Sequence, residues 1–546
     1  MRRLLLLALL GPAVAAPAAP LDPLPASAWT PAAAAHLLRR AGFGGTPEEI
    51  RAFHALGLDG AVDRLLGFDG QGDVEVPGPG IALTTEPGRD MMMAAGSQEE
   101  RQQVQRQYRQ QDAMQLARVR EWWIQTMIRT RWPLRERMVL FWHCLFTSGY
   151  RDVRNSYHMY VQNTLFRRHA AGSFRTLLHE VSKDPAMLEY LDNNRNRKEH
   201  PNENYAREVM ELFTLGTGNY TEEDIKELAR GLTGWTFEGN RFEFQERQHD
   251  GGEKTFLGRR GRFGGDDMLD IILAQPAASR HLAGRLWDFF GAGDPDPAVI
   301  DGLARTLAES DWQLAPALRR LFRSRAFFAT AGARIKSPVE LIVCLYKSTG
   351  LSSDGAFGLS FAGQALGQSL MDPPNVKGWP GGTEWITTSL LFARYNVASA
   401  IVGLPQDRAR LLEGATGPAA RGLRQMQRAR RVDPNGEEME GEGMGPGEGM
   451  EEEADAPPRR GRGRRGGEGL APVYDVLGEV RERGLEKPGE IVDFYAGALL
   501  VVPPPPELRS TLVEYLDGLD LKRPDAREKL HGMLRLLVST PEFQIY

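Results

Sequence analysis

Signals that start an α-helix recur along this 546-residue chain, and they constrain its fold more than any other feature of the sequence. Thr46-Pro47-Glu48-Glu49 combines an N-cap residue, a proline for the first turn and a glutamate at the capping-box position. Asp184 offers a similar start to the segment AMLEYLD, and Thr221 precedes the acidic first turn of EEDIKELARGL. Runs of Val, Ile and Thr are scarce, whereas Leu, Ala, Arg and Glu dominate. We therefore predict a mainly α fold, a large multi-helical single domain.

One internal stretch departs from this helical pattern. Between Phe237 and Gly265 the sequence is rich in glycine, and apolar and polar residues alternate in RFEFQ. Alternation with period two is typical of a β-strand, and glycines favour turns. We predict a small irregular or β-hairpin insertion here.

A charged tract divides the helical sequence near its C-terminal end. Nine acidic residues lie between Glu437 and Asp455, and the following PPRRGRGRRGG contains five arginines. Such a composition buries too little apolar surface to offset the entropy of ordering the chain. We predict a disordered linker at 406–470, acidic and then Arg/Gly-rich, between a helical domain at 27–405 and C-terminal helices at 471–546 that complete it. The net charge of -5 and the pI of about 6.1 argue against a nucleic-acid partner.

The N-terminal residues have the pattern of a secretory signal peptide. Arg2 and Arg3 form a basic region, Leu4 to Leu10 an apolar one, and Ala13-Val14-Ala15 a small-residue cleavage site. We predict a signal peptide at 1–19 and an exported protein, periplasmic or extracellular after cleavage. No segment has the roughly 20 consecutive apolar residues that a membrane span requires, so no transmembrane segment is expected.

The two cysteines leave two interpretations open. In an exported protein Cys144 and Cys344 could form one long-range disulfide. Both lie in apolar segments, FWHCLF and LIVCLYK, so they are equally well explained as buried thiols. Two cysteines are too few for a Cys-rich zinc site.

The segment HPNENYAREVMELFTLG, residues 200–216, concentrates polar side chains on one side of a predicted helix. Pro201 suits the first helical position, and Gly216 suits a left-handed C-terminal cap. On a helical wheel five polar residues fall within about 140° of one another. They are Glu203, Asn204, Arg207, Glu208 and Glu211.

This polar face has two interpretations. Glu203, Arg207 and Glu211 are spaced i, i+4, i+8, which is the pattern of an ordinary solvent-exposed salt-bridge ladder. Glu208 and Glu211 are one turn apart, so they could also act together on a substrate or an ion. If the 237–265 insertion covers them, one carboxyl would have a raised pKa and could serve as a general acid or base.

Several longer motifs resemble one known family, the bacterial exported family called domain of unknown function 1800 (DUF1800). The matching stretches cover most of the chain outside the signal and the linker: HLLRRAGFGGTPEEI, MVLFWHCLFTSG, NENYAREVMELFTLGTGNYTEEDIKELARGLTGW, HDGGEKTFLG, PPNVKGWPGGTEWI and LVSTPEFQ. The resemblance implies an exported, mostly helical protein, often encoded beside a second exported family similar to sulfatases and phosphatases. It implies no particular activity. Cys144 departs from the family pattern, in which an asparagine tends to follow the Trp-His pair.

The resemblance places three further residues beside the glutamates as candidates. His143 lies among aromatic residues, where a histidine is more often part of the core than a ligand. His249 and Asp250 open the glycine-rich HDGGEKTFLG, in which Lys254 could hold an anionic group, although an exposed charged loop explains the pattern equally well. A divalent metal site would need donors from distant segments, and the candidate donors are Glu208, Glu211, His143 and His249.

Two tryptophans complete the candidates for ligand contact. Trp379 and Trp385 lie in NVKGWPGGTEW, where they could stack on a sugar ring or a peptide. Anchoring of the loop to the core by its aromatic residues is the more ordinary explanation. Asn204, on the polar face, is the remaining candidate.

Three classes of function are consistent with these residues. The first is an exported binding or accessory protein that docks another exported protein, for which the resemblance implies a sulfatase- or phosphatase-like partner. The second is a hydrolase-like envelope enzyme, with Glu208 and Glu211 as an acid/base pair and Arg207, His143 and His249 orienting substrate or metal. The third is a structural component of the envelope. The sequence contains no P-loop, dinucleotide fingerprint, G-x-S-x-G elbow or HExxH motif that would select a known chemistry.

Overall fold

The computed structural model is mainly helical, with 63% of the residues it describes in helices. It describes residues 19–68, 78–82, 97–353, 358–404 and 474–546. Within these ranges lie 23 α-helices, a π-helix, several 3₁₀ turns and two small antiparallel hairpins. The predicted fold class is confirmed. Residues 1–18 of the predicted signal peptide and the predicted linker at 406–470 lie outside the described residues.

The first eleven α-helices precede the hairpins. They are α1 (Pro31–Gly42), α2 (Pro47–Ala55), α3 (Gly57–Leu66), α4 (Gln98–Arg129), α5 (Pro133–Leu145), α6 (Tyr150–Val153), α7 (Ser156–Arg168), α8 (Phe174–Val181), α9 (Pro185–Tyr190), α10 (Asn204–Glu208) and α11 (Glu222–Gly231).

Twelve further helices follow the hairpins. They are α12 (Gly265–Leu273), α13 (Pro276–Phe290), α14 (Pro297–Glu309), α15 (Leu314–Arg323), α16 (Arg325–Phe328), α17 (Pro338–Thr349), α18 (Leu359–Ala365), α19 (Thr388–Val402), α20 (Val476–Glu482), α21 (Pro488–Leu499), α22 (Pro506–Tyr515) and α23 (Ala526–Val538).

The predicted N-caps form as the sequence indicates. The Thr46 hydroxyl accepts a hydrogen bond from the Glu49 amide at 3.3 Å, and the Glu49 carboxylate accepts one from the Thr46 amide at 2.9 Å. Asp184 accepts a hydrogen bond from the Met187 amide at the start of α9, and Thr221 caps α11. These contacts satisfy N–H groups that have no partner inside the helix, so short-range sequence fixes where the helices begin.

The predicted insertion is a pair of β-hairpins. Strand β1 (Trp235–Glu238) pairs with β2 (Arg241–Phe244), and β3 (Lys254–Phe256) pairs with β4 (Arg259–Gly261). The second hairpin is fixed to α11. The Thr255 amide donates to the Glu227 carboxylate at 2.9 Å, and the Leu257 amide donates to Asp224 at 2.8 Å.

Residues on both sides of the predicted linker share one hydrophobic core. Helix α23 packs against α19, where a ring N–H of His531 donates to the Val402 carbonyl at 2.7 Å. Arg394 donates to the side chain of Gln544 at 2.8 Å, and both residues are buried. The C-terminal segment therefore contributes to the core of the large helical unit, although the domain boundaries drawn from the sequence stay predictions.

Both cysteines are free thiols. The long-range disulfide therefore does not form, and the buried-thiol interpretation fits Cys344, whereas Cys144 is partly exposed. Among the described helices, none has the length and apolar content needed to cross a membrane.

Candidate functional site

The polar segment at 200–216 forms a helix with an irregular second half. Helix α10 begins at Asn204, not at Pro201 as predicted, and it passes after Glu208 into a π-helix at Val209–Thr214. The Thr214 hydroxyl donates to the Val209 carbonyl at 2.5 Å, which occupies one acceptor of the wider turn. Short π-helical segments are uncommon and frequently occur at functional sites.

The end of this segment depends on Gly216. Its φ of 76° is in the left-handed region, as predicted for a C-terminal cap. A Cβ atom there would lie 3.0 Å from Nδ1 of His281, whose Nε2–H donates to the Leu212 carbonyl at 2.8 Å. Glycine therefore allows α13 to approach and hold the π-helix.

The predicted salt-bridge ladder forms only in part. Arg207 contacts Glu203 at 3.2 Å as expected, but its second partner is Glu222 of α11, at 2.9 Å, rather than Glu211. Its hydrogen bonds to Glu222 raise the pKa of Arg207 above its ordinary value. Arg207 is therefore occupied in fixing α10 to α11, and Glu211 is left to other contacts.

Glu208 differs from the other carboxylates of this segment in its lack of a partner. It is half-buried, and it forms no hydrogen bond or ion pair with any residue that the structure describes. Burial, together with the negative charge of Glu211, raises its pKa above the ordinary value, and the charges of Arg207 and Lys377 oppose this only in part. Glu211 accepts a hydrogen bond from the Tyr220 hydroxyl at 3.4 Å.

Two residues from distant segments interact electrostatically with Glu208. Tyr190, at the end of α9, is half-buried, and burial with the charges of Asp152 and Glu208 raises its pKa to about 12. Lys377 is exposed, and its charge interacts with Glu208 although the two form no ion pair. We call the group the Glu208 patch: Glu208, Glu211, Tyr190, Tyr220 and Lys377. Sequence analysis missed both tyrosines and Lys377, although Lys377 lies inside the motif PPNVKGWPGGTEWI.

Comparison with protein families identifies the chain. The model of a family described as protein of unknown function (DUF1800) matches residues 36–545. The chain belongs to the DUF1800 family. No curated protein and no solved structure matches it. Because the match covers nearly the whole chain, the Glu208 patch lies within the part that defines the DUF1800 family.

His143 of this DUF1800 protein lies in the core and not in the patch. It is 1% exposed, between the rings of Trp123 and Phe166, and its Nε2 accepts a hydrogen bond from the Asn163 side chain at 3.1 Å. Burial, with the charge of Arg167, lowers its pKa to about 3. A neutral histidine whose ring contacts are aromatic fits the core interpretation.

His249, Asp250 and Lys254 are occupied within the hairpin region. His249 donates from Nδ1 to the Thr233 carbonyl at 2.9 Å, and Asp250 pairs with Arg230 at 2.7 Å. Lys254 is buried and donates to two backbone carbonyls of its own loop, those of Asp250 and Gly252. Arg230 lies eight residues beyond Glu222 on α11, so the loop is about 12 Å along that helix from the Arg207 contact. Two of the three N–H groups of the Lys254 ammonium thus have carbonyl acceptors, and its anion-holding role stays a prediction.

The predicted metal donors do not converge. In the part of the chain that the structure describes, no group of three or more His, Cys, Asp and Glu side chains is placed to hold a metal ion. Glu208 and Glu211 lie together, while His143 and His249 are each held elsewhere by their own hydrogen bonds.

The two candidate tryptophans differ in position. Trp385 is buried at 4% exposure, whereas Trp379 is half-buried two residues beyond Lys377. A Cβ atom at Gly378 would lie 3.0 Å from the Cys144 carbonyl oxygen, so this loop packs closely on the end of α5. Trp379 packs against the hydrophobic core from the same loop as Lys377, whereas the Trp385 ring lies close to Gly367, 3.6 Å from the position of a Cβ atom there. Asn204 is exposed on α10 four residues before Glu208, on the same helical face.

Proposed function

We propose that this DUF1800 protein is exported and that the Glu208 patch docks another exported protein, which presents a cationic side chain to Glu208. The observation that carries the proposal is the state of Glu208. It is a half-buried carboxylate beside a second carboxylate, with no ion pair or hydrogen bond to any described residue. A carboxylate in this environment gains free energy when a cation approaches, because desolvation and like charge both disfavour its ionised form.

The surroundings of Glu208 suit a protein ligand. Tyr190 and Tyr220 present aromatic rings with hydroxyl groups, and half-buried Trp379 lies in the same loop as Lys377. Aromatic residues and hydrogen-bonding groups at a partly buried centre are typical of protein interfaces. Glu208 ends α10 and Glu211 lies in the π-helix that follows, on a segment fixed to α11 and α13, so little ordering would be needed on binding.

Export and the identity of the partner class rest on the sequence. The basic, apolar and small-residue regions of residues 1–19 support secretion, and the family resemblance supports a sulfatase- or phosphatase-like exported partner. Cell fractionation of the full chain, and of a chain that lacks residues 2–19, tests the location. Retention of both in the cytoplasm would contradict export.

Photo-crosslinking from the patch tests the docking role. A photoreactive residue at exposed Asn204 is expected to capture a sulfatase- or phosphatase-like envelope protein in cells, and the same residue at exposed Lys522 serves as the control. Adding Glu208→Gln should weaken capture by roughly tenfold or more, since a hydrogen bond to a charged group contributes about 1.5–3 kcal/mol. Adding Glu223→Gln instead, at an exposed carboxylate outside the patch, should leave capture unchanged. Capture that is insensitive to Glu208→Gln would count against the proposal.

A second candidate function is acid/base catalysis of a hydrolytic type. The observation that favours it is the raised pKa of Glu208, with a second carboxyl one turn away and the Tyr190 hydroxyl nearby. A carboxyl that retains its proton closer to neutral pH can donate it to a leaving group, while a neighbouring carboxylate accepts one.

Steady-state kinetics on chromogenic glycosides, carboxylic esters, phosphate esters and sulfate esters tests this candidate. Glu208→Gln should lower kcat by roughly 10²–10⁴-fold on any substrate that is turned over. The control is Glu223→Gln, on the exposed face of α11. Elemental analysis of the mature protein, purified without chelator, would show whether a metal also takes part. Turnover that is unchanged in Glu208→Gln would exclude Glu208 as the acid or base.

A further inference from the structure

A second group of charged side chains lies inside the fold, apart from the residues of the Glu208 patch. Arg137 of α5 and Arg334, before α17, contact the buried carboxylate of Glu340, and Arg40 of α1 interacts with its charge. Arg285 of α13 adds a fourth arginine at Cys144, whose thiol interacts with the charges of Arg285, Arg334 and Arg137. We call this group the arginine cluster: Arg40, Arg137, Arg285, Arg334 and Glu340.

Glu340 binds two of the four arginines. It forms a short ion pair with Arg137 and a second contact with Arg334 at 3.3 Å. Burial disfavours its ionised form, but the charges of Arg334 and Arg137 prevail and lower its pKa to about 2. The cluster therefore contains one permanently ionised carboxylate, and the two arginines that contact it already exceed its charge.

The positive charge that Glu340 does not neutralise is offset only weakly by other groups. Arg40 is fully buried and donates from Nε to the Phe290 carbonyl at 3.0 Å. The Arg137 and Arg334 guanidinium groups lie 4.8 Å and 5.2 Å from the ring of Phe289. Ring faces and the carbonyls at the end of a helix attract cations, but neither carries a full negative charge.

Cys144 lies next to the cluster and cannot supply the missing charge. Its thiol interacts with the charges of Arg285, Arg334 and Arg137, so it marks the place where these side chains approach one another. Burial raises its pKa to about 11, which keeps the thiol neutral at physiological pH. Asp288 contacts Arg285 at 3.9 Å, but its side chain is 65% exposed and lies at the outer edge.

Five guanidinium nitrogens of the cluster are buried and donate no hydrogen bond to any described residue. They are Nη1 of Arg40, Nε and Nη2 of Arg137, Nε of Arg285, and Nη1 of Arg334. Buried donors in folded proteins nearly always have an acceptor, and an unpaired buried charge is costly. These unpaired guanidinium donors would therefore be stabilised by an acceptor that also carries negative charge.

We propose that the arginine cluster binds one small tetrahedral oxyanion, phosphate or sulfate, between the buried and the partly exposed arginines. A tetrahedral oxyanion offers several acceptor oxygens, and the planar fork of arginine donates to such oxygens in pairs. Arg40 and Arg137 are fully buried, whereas the side chains of Arg334 and Arg285 are 19% and 35% exposed. The anion enters past Arg285 and Arg334, as a free ion or as the terminal ester group of a larger molecule.

Isothermal titration calorimetry on the full chain tests this site, with inorganic phosphate and sulfate as ligands in a chloride buffer of fixed ionic strength. The expected result is saturable binding with one ion per chain. Arg334→Gln should weaken it by roughly tenfold to a hundredfold, since a charge-assisted hydrogen bond is lost. Arg285→Gln, at the more exposed edge, provides a second variant if Arg334→Gln does not fold. Arg509→Gln, whose exposed ion pair with Asp493 lies outside the cluster, is the matched control and should bind as the unchanged chain does.

Thermal unfolding separates specific binding from the general effect of these salts. A bound ion raises Tm along a saturation curve, whereas exclusion of sulfate from the protein surface raises it without saturation. Phenyl phosphate distinguishes the source of the anion. Binding of phenyl phosphate in place of the inorganic ions would assign the site to an ester group. The proposal would be overturned if phosphate, sulfate and phenyl phosphate all gave no saturable heat. It would also be overturned if Arg334→Gln and Arg285→Gln both bound the anion as tightly as the unchanged chain does.

Discussion

Replacing Glu340 by alanine is expected to lower the free energy of unfolding by about 3–5 kcal/mol. Glu340 is fully buried, and its loss would leave Arg137 and Arg334 as cations without a carboxylate partner. It would also remove the acceptor for the Ser337 amide, at 2.7 Å, in the capping box of α17. Urea unfolding is the appropriate measurement, because a fall in the midpoint at unchanged slope reports stability alone.

Two comparisons isolate the charge in that prediction. Glu340→Gln keeps an oxygen acceptor for the cap but removes the negative charge. It should therefore lower the free energy of unfolding by most of the amount that Glu340→Ala does. Glu490→Ala removes an exposed carboxylate that pairs with Lys487 at 3.1 Å, and it should have little effect. If Glu340→Ala lowers the free energy of unfolding no more than Glu490→Ala does, the buried arginines do not require a carboxylate partner for stability.

The features that could be predicted from this sequence are those that depend on neighbouring residues. Thr46, Asp184 and Thr221 accept hydrogen bonds from amides three residues ahead, so the sequence around each is enough to identify a helix start. The alternation in RFEFQ likewise identified β2 from a few residues. Pro201 shows the limit of such signals, because α10 begins three residues later.

The arrangement of the Glu208 patch could not be predicted in full, because it depends on contacts between distant segments. Arg207 was expected to pair along its own helix, but Glu222 of the next helix is a partner equally within reach. Tyr190 and Lys377, which interact electrostatically with Glu208, lie in segments before and far beyond it. The spacing of Glu208 and Glu211 could be predicted from the sequence. The lack of an ion-pair partner for Glu208 among the described residues could not.

The arginine cluster could not be predicted from the sequence either. In HLLRRAGF the two adjacent arginines have the composition of a solvent-exposed helix end. In the fold Arg39 donates to the Ala498 carbonyl at 2.9 Å and Arg40 to the Phe290 carbonyl at 3.0 Å, each at the end of another helix. A buried arginine is recognised only when its distant acceptor is known, because composition alone assigns it to the surface.

Asp184 gives the second large expected effect, which is a pH dependence of stability. Its side chain is almost fully buried, and it accepts hydrogen bonds from the Met187 amide at 3.1 Å and from Gln162 at 2.9 Å. Burial raises its pKa from the ordinary 3.8 to about 7, despite these hydrogen bonds and the charge of His158. The folded state therefore holds a proton that the unfolded chain has released over this range of pH.

The sign of the effect follows from that difference. The contribution of Asp184 is fully present below pH 3.8, and it is lost as the pH rises through about 7. Asp184→Asn keeps the oxygen that caps α9 and removes the charge. The variant and the unchanged chain should thus be similarly stable at low pH, and the variant should be more stable by on the order of a few kcal/mol above pH 7.

Urea unfolding of both proteins at a series of pH values measures this difference, and other titrating groups cancel because the two chains share them. Asp475→Asn is the matched control, since Asp475 caps α20 from an exposed position and accepts from the Gly478 amide at 3.2 Å. A stability gain in Asp184→Asn that grows with pH, and that Asp475→Asn lacks, would establish Asp184 as a buried acid. If the gain is instead the same at every pH, Asp184 ionises in the folded state as it does in the unfolded chain, and the hydrogen bonds from Met187 and Gln162 offset the cost of burying its charge.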